Sequence, residues 1–249
     1  MKSSGIVVPA IVIALVAGCS KPPNDSARAA TSAAPSAAPT PSMVPPPSAA
    51  AAPPRREYSA PAPERLGVLA PGTGIPVGQK VPDLSARNLD GAQVTLSSLY
   101  AKGPILLAFY RGGWCPYCNS EIHALTVAYP EYRKRGVMPV AVSVDKPEAL
   151  AKMRATNSIL FPVLSDSDAA MIEAFHVVRN VGDDELAKMK GFGVDLESYS
   201  GKMHHKIAIP ALFLIDRTGV VRWAHSDPDF KVRPSTAQIL SAIDTTHLS

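Results

Sequence analysis

From residue 67 onward, short apolar runs alternate with segments of helical spacing, a pattern that builds strands and helices into a layered α/β domain. Residues 85–96 form two short alternating runs around Asn88-Leu89-Asp90-Gly91, a turn that predicts a β-hairpin. Residues 97–100 read as a helical turn. Six consecutive apolar residues, from Ile105 to Tyr110, fit a strand covered on both faces. Residues 118–135 carry Ile122, Leu125 and Tyr129 at helical spacing, and Pro130 is expected to kink or split that helix. A buried strand over 137–144, a helix over 148–156 and a short strand over 161–164 follow. Asp166-Ser167-Asp168 then caps a helix running to about Phe175. Residues 177–206 are polar and glycine-bearing, with a short helix over 183–189, and read as an insertion. The sheet resumes over 207–215, turns at Asp216-Arg217-Thr218-Gly219 and returns over 220–224. A last helix starts at Pro234 or Ser235 and places Ile239, Leu240 and Ile243 on one face.

The pattern is different before residue 67. Lys2 precedes an apolar segment, residues 6–17, that ends in Leu15-Val16-Ala17-Gly18-Cys19. Such a segment is too short for an ordinary spanning helix and has the form of a secretory signal. Residues 1–18 are therefore expected to be a signal peptide. Residues 19–66 are rich in Ala, Pro and Ser, and twelve of the chain's 25 prolines fall between Lys21 and Arg65. That composition buries too little apolar surface to offset its ordering, so a disordered, extended tether is expected, with a reach on the order of 100 Å. Residues 67–249 then form one domain of ordinary size.

Charge follows the same division. The net +4 includes one charge from the signal and a net +2 from the tether, where five basic residues face three acidic ones. The remaining domain is close to neutral, which leaves no electrostatic footprint for nucleic acid.

Of three cysteines, only Cys115 and Cys118 lie in the domain, and one close pair is no disulfide framework. Their setting, Arg111-Gly112-Gly113-Trp114-Cys115-Pro116-Tyr117-Cys118, falls where a buried strand gives way to a helix. Thiol–disulfide exchange needs a thiolate and a second thiol to resolve the mixed disulfide. A helix start supplies free N–H groups and the positive end of the dipole to Cys115. Pro116 suits the first helical turn, Arg111 adds positive charge, and Trp114 packs beside the sulfurs. Zinc would need four ligands, and only His204 and His205 could join the cysteines, from a loop without a motif, so no metal and no cofactor is expected. His204 and His205 are expected to be exposed.

The order of strand, Trp-Cys-x-x-Cys and helix resembles the thioredoxin superfamily, and four stretches resemble its AhpC/TSA, peroxiredoxin-like branch more closely. These are Gly78-Gln79-Lys80-Val81-Pro82-Asp83, residues 109–118, Phe213-Leu214-Ile215-Asp216-Arg217-Thr218-Gly219, and Asp227-Pro228-Asp229-Phe230-Lys231-Val232-Arg233-Pro234. The resemblance implies a thioredoxin-like three-layer α/β fold with an N-terminal β-hairpin extension. Laid on the peroxiredoxin pattern, the peroxidatic cysteine is Cys118 and its glutamate is Glu121. The threonine position holds Cys115 and the proline position Arg111. The family's distant arginine is not evident before the later strand, where Ile209-Pro210 stands instead, placed as thioredoxins place the proline that faces their disulfide. Cys19 after Ala-Gly resembles the lipidated cysteine of bacterial lipoproteins, and Ser20 implies the outer membrane in a cell that has one.

Three functions follow. The first is a membrane-tethered, extracytoplasmic thiol:disulfide oxidoreductase in which Cys115 attacks and Cys118 resolves. The alternative is a thiol-dependent peroxidase with Cys118 as the peroxidatic cysteine. The third is a redox-inert anchored binding domain. The partners implied are a thiol or disulfide protein or a hydroperoxide as substrate, a thiol reductant, and a membrane through a lipid anchor, with no nucleic acid.

Overall fold

The computed structural model describes residues 54–248. The expected signal peptide, Cys19 and most of the expected tether lie outside them. Among the described residues, no helix is long and apolar enough to cross a membrane.

The central strand is β3 (Ile105–Phe109), every residue of which is buried. It pairs in parallel with β4 (Met138–Ser143), which pairs in parallel with β5 (Val163–Ser165). On the other side β3 meets β8 (Ala211–Ile215) antiparallel, and β9 (Val221–Ser226) closes that edge. The predicted hairpin, β1 (Ser85–Arg87) and β2 (Gln93–Thr95), pairs antiparallel onto β5. The sheet order is thus β2-β1-β5-β4-β3-β8-β9.

Period-two alternation along the strands creates two cores. Ile105, Leu107, Phe109, Val140, Val142, Phe213 and Ile215 face α1 (Leu96–Tyr100) and α5 (Ala170–Ala174). Phe109, Phe175 and Phe213 form an aromatic cluster there, with ring centres 5.0–5.9 Å apart. On the opposite face, Leu106, Ala108, Ala141, Leu212 and Leu214 meet α2 (Pro116–Val127), α3 (Tyr129–Lys134), α4 (Pro147–Asn157) and α8 (Thr236–Thr245). This is the three-layer thioredoxin-like fold. The helix expected over 118–135 is split at Ala128, as Tyr129-Pro130 requires.

Two elements differ from expectation. The strand expected over 207–215 is two strands. β7 (Lys206–Ala208) leaves the main sheet to pair with β6 (Val178–Asn180), and β8 begins after Pro210, which has no N–H to give a ladder. The insertion therefore has its own two-stranded sheet. With α6 (Asp183–Gly191) and α7 (Leu196–Ser200) it forms a small core of Val181, Met189, Leu196 and Ile207. The second difference is at the tether. Residues 54–66 are bonded to the domain: Ser59 forms a parallel bridge with Val232, and Pro61 is buried. The composition that suggested disorder conceals backbone groups that find partners.

Phe213→Ala is expected to cost about 3–5 kcal/mol, because it opens a void in the aromatic cluster. Ser235→Ala, which removes one half of the capping box on α8, is expected to cost about 1 kcal/mol. Equilibrium urea unfolding checks both.

Candidate active site

The motif turns at the C-terminal end of β3, where open α/β sheets place their sites. Gly112 makes the turn possible. Its φ is 151°, and a Cβ there would lie 2.3 Å from Trp114 Nε1 and 2.9 Å from Asp145 Oδ1. Asp145, fully buried just after β4, accepts a 2.7 Å hydrogen bond from the Gly113 N–H and anchors the loop. Burial, only partly offset by that bond, raises the Asp145 carboxyl to about 7. On the far side, Asn119 Nδ2 donates to the Gly113 carbonyl at 2.9 Å.

Cys115 is the N-cap residue of α2 and Pro116 is its first helical residue, as expected. Both cysteines are free thiols; Cys115 is 1% exposed and Cys118 0%. The Cys118 thiol, donating to the Cys115 sulfur, is the main influence that brings Cys115 down to about 6. Burial opposes it, while the Cys118 N–H, Arg111 and Arg233 assist. Cys115 closes no formal capping bond, yet that N–H is near enough to draw charge onto its sulfur. Burial, with Cys115 as its neighbour, pushes Cys118 the other way, well above the ordinary thiol range. The pair is thus divided into a thiolate and a thiol at neutral pH.

Arg233 was not singled out from the sequence. Its guanidinium is 2% exposed. Nη2 lies 3.8 Å from Cys118 Sγ, Nη1 donates to Glu121 Oε2 at 3.1 Å, and Nε donates to the Phe230 carbonyl at 2.9 Å. Glu121 is itself buried, and burial raises its carboxyl against the pull of Arg233. The only sequence signal was the run 227–234, and nothing in that run shows which of its charged residues turns inward.

Arg111 lies between two rings, 4.9 Å from the centre of Trp114 and 4.1 Å from that of Phe230, with Glu185 of α6 3.9 Å away. Tyr117 meets Phe230 edge-on at 5.6 Å. Trp114 packs against the insertion's core, and its Nε1 is buried without a hydrogen-bond partner. Pro210 is buried immediately before β8, whose Ala211 pairs with Phe109, so it shares the sheet end that carries the motif. His204 and His205 are half-buried rather than exposed. His204 Nε2 contacts the Ser167 carbonyl at 3.0 Å, and His205 contacts Glu197 at 2.5 Å.

The AhpC/TSA family model matches residues 77–224. Among curated relatives, the thiol-disulfide oxidoreductase ResA of Geobacillus kaustophilus (strain HTA426) is 32% identical over 106 residues, 42% of this chain and 60% of that protein. The chain therefore spans less than two thirds of that relative's length. The peroxiredoxin Bcp of Escherichia coli (strain K12) is 29% identical over 160 residues, 63% of this chain and 88% of that protein. Among solved structures, reduced Prx3 of Vibrio vulnificus in complex with hydrogen peroxide aligns with a TM-score of 0.56 at 20% identity. That alignment covers 69% of this chain and 97% of that one, a likeness of fold.

The alkylation rate of Cys115 by iodoacetamide is expected to rise with pH through a midpoint near 6. Arg111→Gln removes a cation that favours the thiolate, so the midpoint should move upward. An unmoved midpoint would mean that Arg111 lends its charge only to the rings and Glu185.

Proposed function

The chain belongs to the AhpC/TSA family, and from that premise we propose that it is a thiol oxidoreductase cycling between a Cys115-Cys118 dithiol and its disulfide. Cys115 is the nucleophile and Cys118 the resolving thiol. The observation that carries this reading is the division of the pair: a thiolate at the helix start and a protonated, buried thiol one turn on. With a disulfide substrate, the Cys115 thiolate attacks one sulfur, the other sulfur leaves as a thiolate, and a mixed disulfide forms. Cys118 then gives up its proton and attacks Cys115, releasing the reduced substrate. The relative named a thiol-disulfide oxidoreductase supports this direction of reading.

A second reading has its own observation. Cys115 is almost completely buried while two guanidinium groups influence its sulfur. That surrounding favours a small oxidant, a hydroperoxide. The Cys115 thiolate would attack the terminal oxygen, the alkoxide would leave and take a proton, and Cys115 would become a sulfenic acid. Cys118 would then attack that sulfur and release water, closing the same disulfide for a reductant dithiol. In this chemistry the two readings share every residue and differ only in the electron acceptor.

The lipoprotein-like start supports a lipid anchor at Cys19 that holds the domain outside the cytoplasm. Cys19→Ser is expected to move the protein from the membrane fraction to the soluble fraction, and equal membrane recovery of both forms would overturn the anchor.

Assigning the cysteines requires both single variants of the full chain, assayed for insulin disulfide reduction and for peroxide consumption. Cys118→Ser is expected to trap a mixed disulfide through Cys115, and Cys115→Ser to be silent in both assays. Turnover of peroxide by Cys115→Ser that is lost in Cys118→Ser would exchange the two roles. Wild type indistinguishable from a double variant in both assays would leave a redox-inert binding domain.

A further inference from the structure

Arg233 and residues 54–66 lie outside the 77–224 region matched by the family model, yet Arg233 lies 3.8 Å from Cys118 and residues 54–66 bond to the segments on either side of it. Two parts of the chain must be held together for this to happen. One is the first half of α2, which carries Cys118 and Glu121. The other is the run from Phe230 to α8, which carries Arg233. Residues 54–66 bond to both.

On α2, the Arg56 N–H lies 3.1 Å from Ser120 Oγ and 3.3 Å from the Pro116 carbonyl. Ser120 Oγ donates back to the Arg56 carbonyl at 2.6 Å, and Asn119 Nδ2 reaches the Pro54 carbonyl at 3.3 Å. On the C-terminal run, the Ser59 N–H donates to the Lys231 carbonyl at 3.0 Å, and the Arg233 N–H donates to the Ser59 carbonyl at 2.8 Å. Gln238 Nε2 donates to the Pro61 carbonyl at 3.3 Å, and Arg65 pairs with Asp227 at 2.9 Å. Tyr58, between the two sets, is half-buried, and burial with Glu121 beside it raises its phenol. The backbone of Arg233 is therefore fixed by Ser59, while its side chain reaches Glu121 and Cys118.

We propose that residues 54–66 are a positioning strap of the active site, which holds Arg233 against Cys118 and Glu121 and so sets the redox equilibrium of the Cys115-Cys118 pair. The strap touches neither sulfur and acts through Arg233. The inference rests on the dithiol–disulfide reading of the site. A guanidinium beside the sulfurs stabilises the reduced form, which carries a thiolate, over the uncharged disulfide. A strap that fails to hold Arg233 should shift the equilibrium toward the disulfide. The segment that joins the domain to the tether thereby becomes part of the chemistry.

The test is a titration of the full chain's cysteine pair against mixtures of reduced and oxidised dithiothreitol. Arg233→Gln is expected to move the equilibrium toward the disulfide by about tenfold, equivalent to about 30 mV. Arg56→Pro with Ser59→Pro removes three strap hydrogen bonds without touching Arg233, and should give a shift of the same sign. Adding that double change to Arg233→Gln should move the equilibrium no further, because both act through one guanidinium. Ser120→Ala is the milder variant, should shift the equilibrium in the same direction, and decides the matter if the proline variant does not fold. A wild-type pair that titrates normally, with the strap variants unmoved or additive with Arg233→Gln, overturns this inference alone. A wild-type pair that forms no reversible disulfide overturns the proposed chemistry and the strap's role with it.

Discussion

A guanidinium with almost no contact with water is costly to bury, and it is tolerated only when its charge is answered and its donors are used. Arg233 meets both conditions, with Glu121 on one nitrogen, the Phe230 carbonyl on another and Cys118 beside the third. That arrangement governs the rest of the site. Burial, with Cys115 as its neighbour, keeps the Cys118 thiol protonated although a guanidinium lies beside it. Cys115, at the helix start, takes the charge instead, helped first by the Cys118 thiol and then by the Cys118 N–H, Arg111 and Arg233. Burial of Cys118 and the hydrogen bond its thiol gives to Cys115, with the cations assisting, divide the pair into a thiol and a thiolate.

The fold serves this by bringing four separate segments to one sheet end. β3 delivers the motif, the loop after β4 delivers Asp145, the insertion covers Trp114 and Arg111, and the C-terminal run brings Phe230 and Arg233. Two covers result. Arg111, stacked between Trp114 and Phe230, closes the site from the side of the insertion. The strap closes it from the side of α2. Both cysteines are then sealed, and low dielectric strengthens each charge interaction inside.

Local chemistry was legible in the sequence and long-range assembly was not. The cysteine pair, the strand before it, the proline in the first turn and the break at Tyr129-Pro130 follow from neighbours within a few residues. Glu121 was legible through family resemblance, but its partner stands 112 residues away. No spacing rule links the two. Asp145 escaped for the same reason, since an aspartate after a strand reads as a turn residue until its burial is known. The strap has no hydrophobic run, only backbone donors and acceptors beside prolines and arginines, so its composition continued that of the tether. The strands β6 and β7 are three residues each, too short for a period-two signal to stand out.

Two families assign the nucleophile to positions one helical turn apart, and that turn changes the physics. A sulfur at the N-cap faces N–H groups that have no partner within the helix, and it gains from the dipole. A sulfur three residues later lies inside the first turn, against the core, where burial favours the neutral form. In this chain the residue at the N-cap is a cysteine and the one inside is also a cysteine, so the helix start itself ranks them. Converting Cys118 into the attacking sulfur would require relieving the burial that keeps it neutral. In the proposed cycle the Cys118 thiol, already hydrogen-bonded to the Cys115 sulfur, is placed to resolve what Cys115 has attacked. Nucleophile and resolving thiol are thus ordered, in that proposed cycle, by one helix terminus and by burial one turn beyond it.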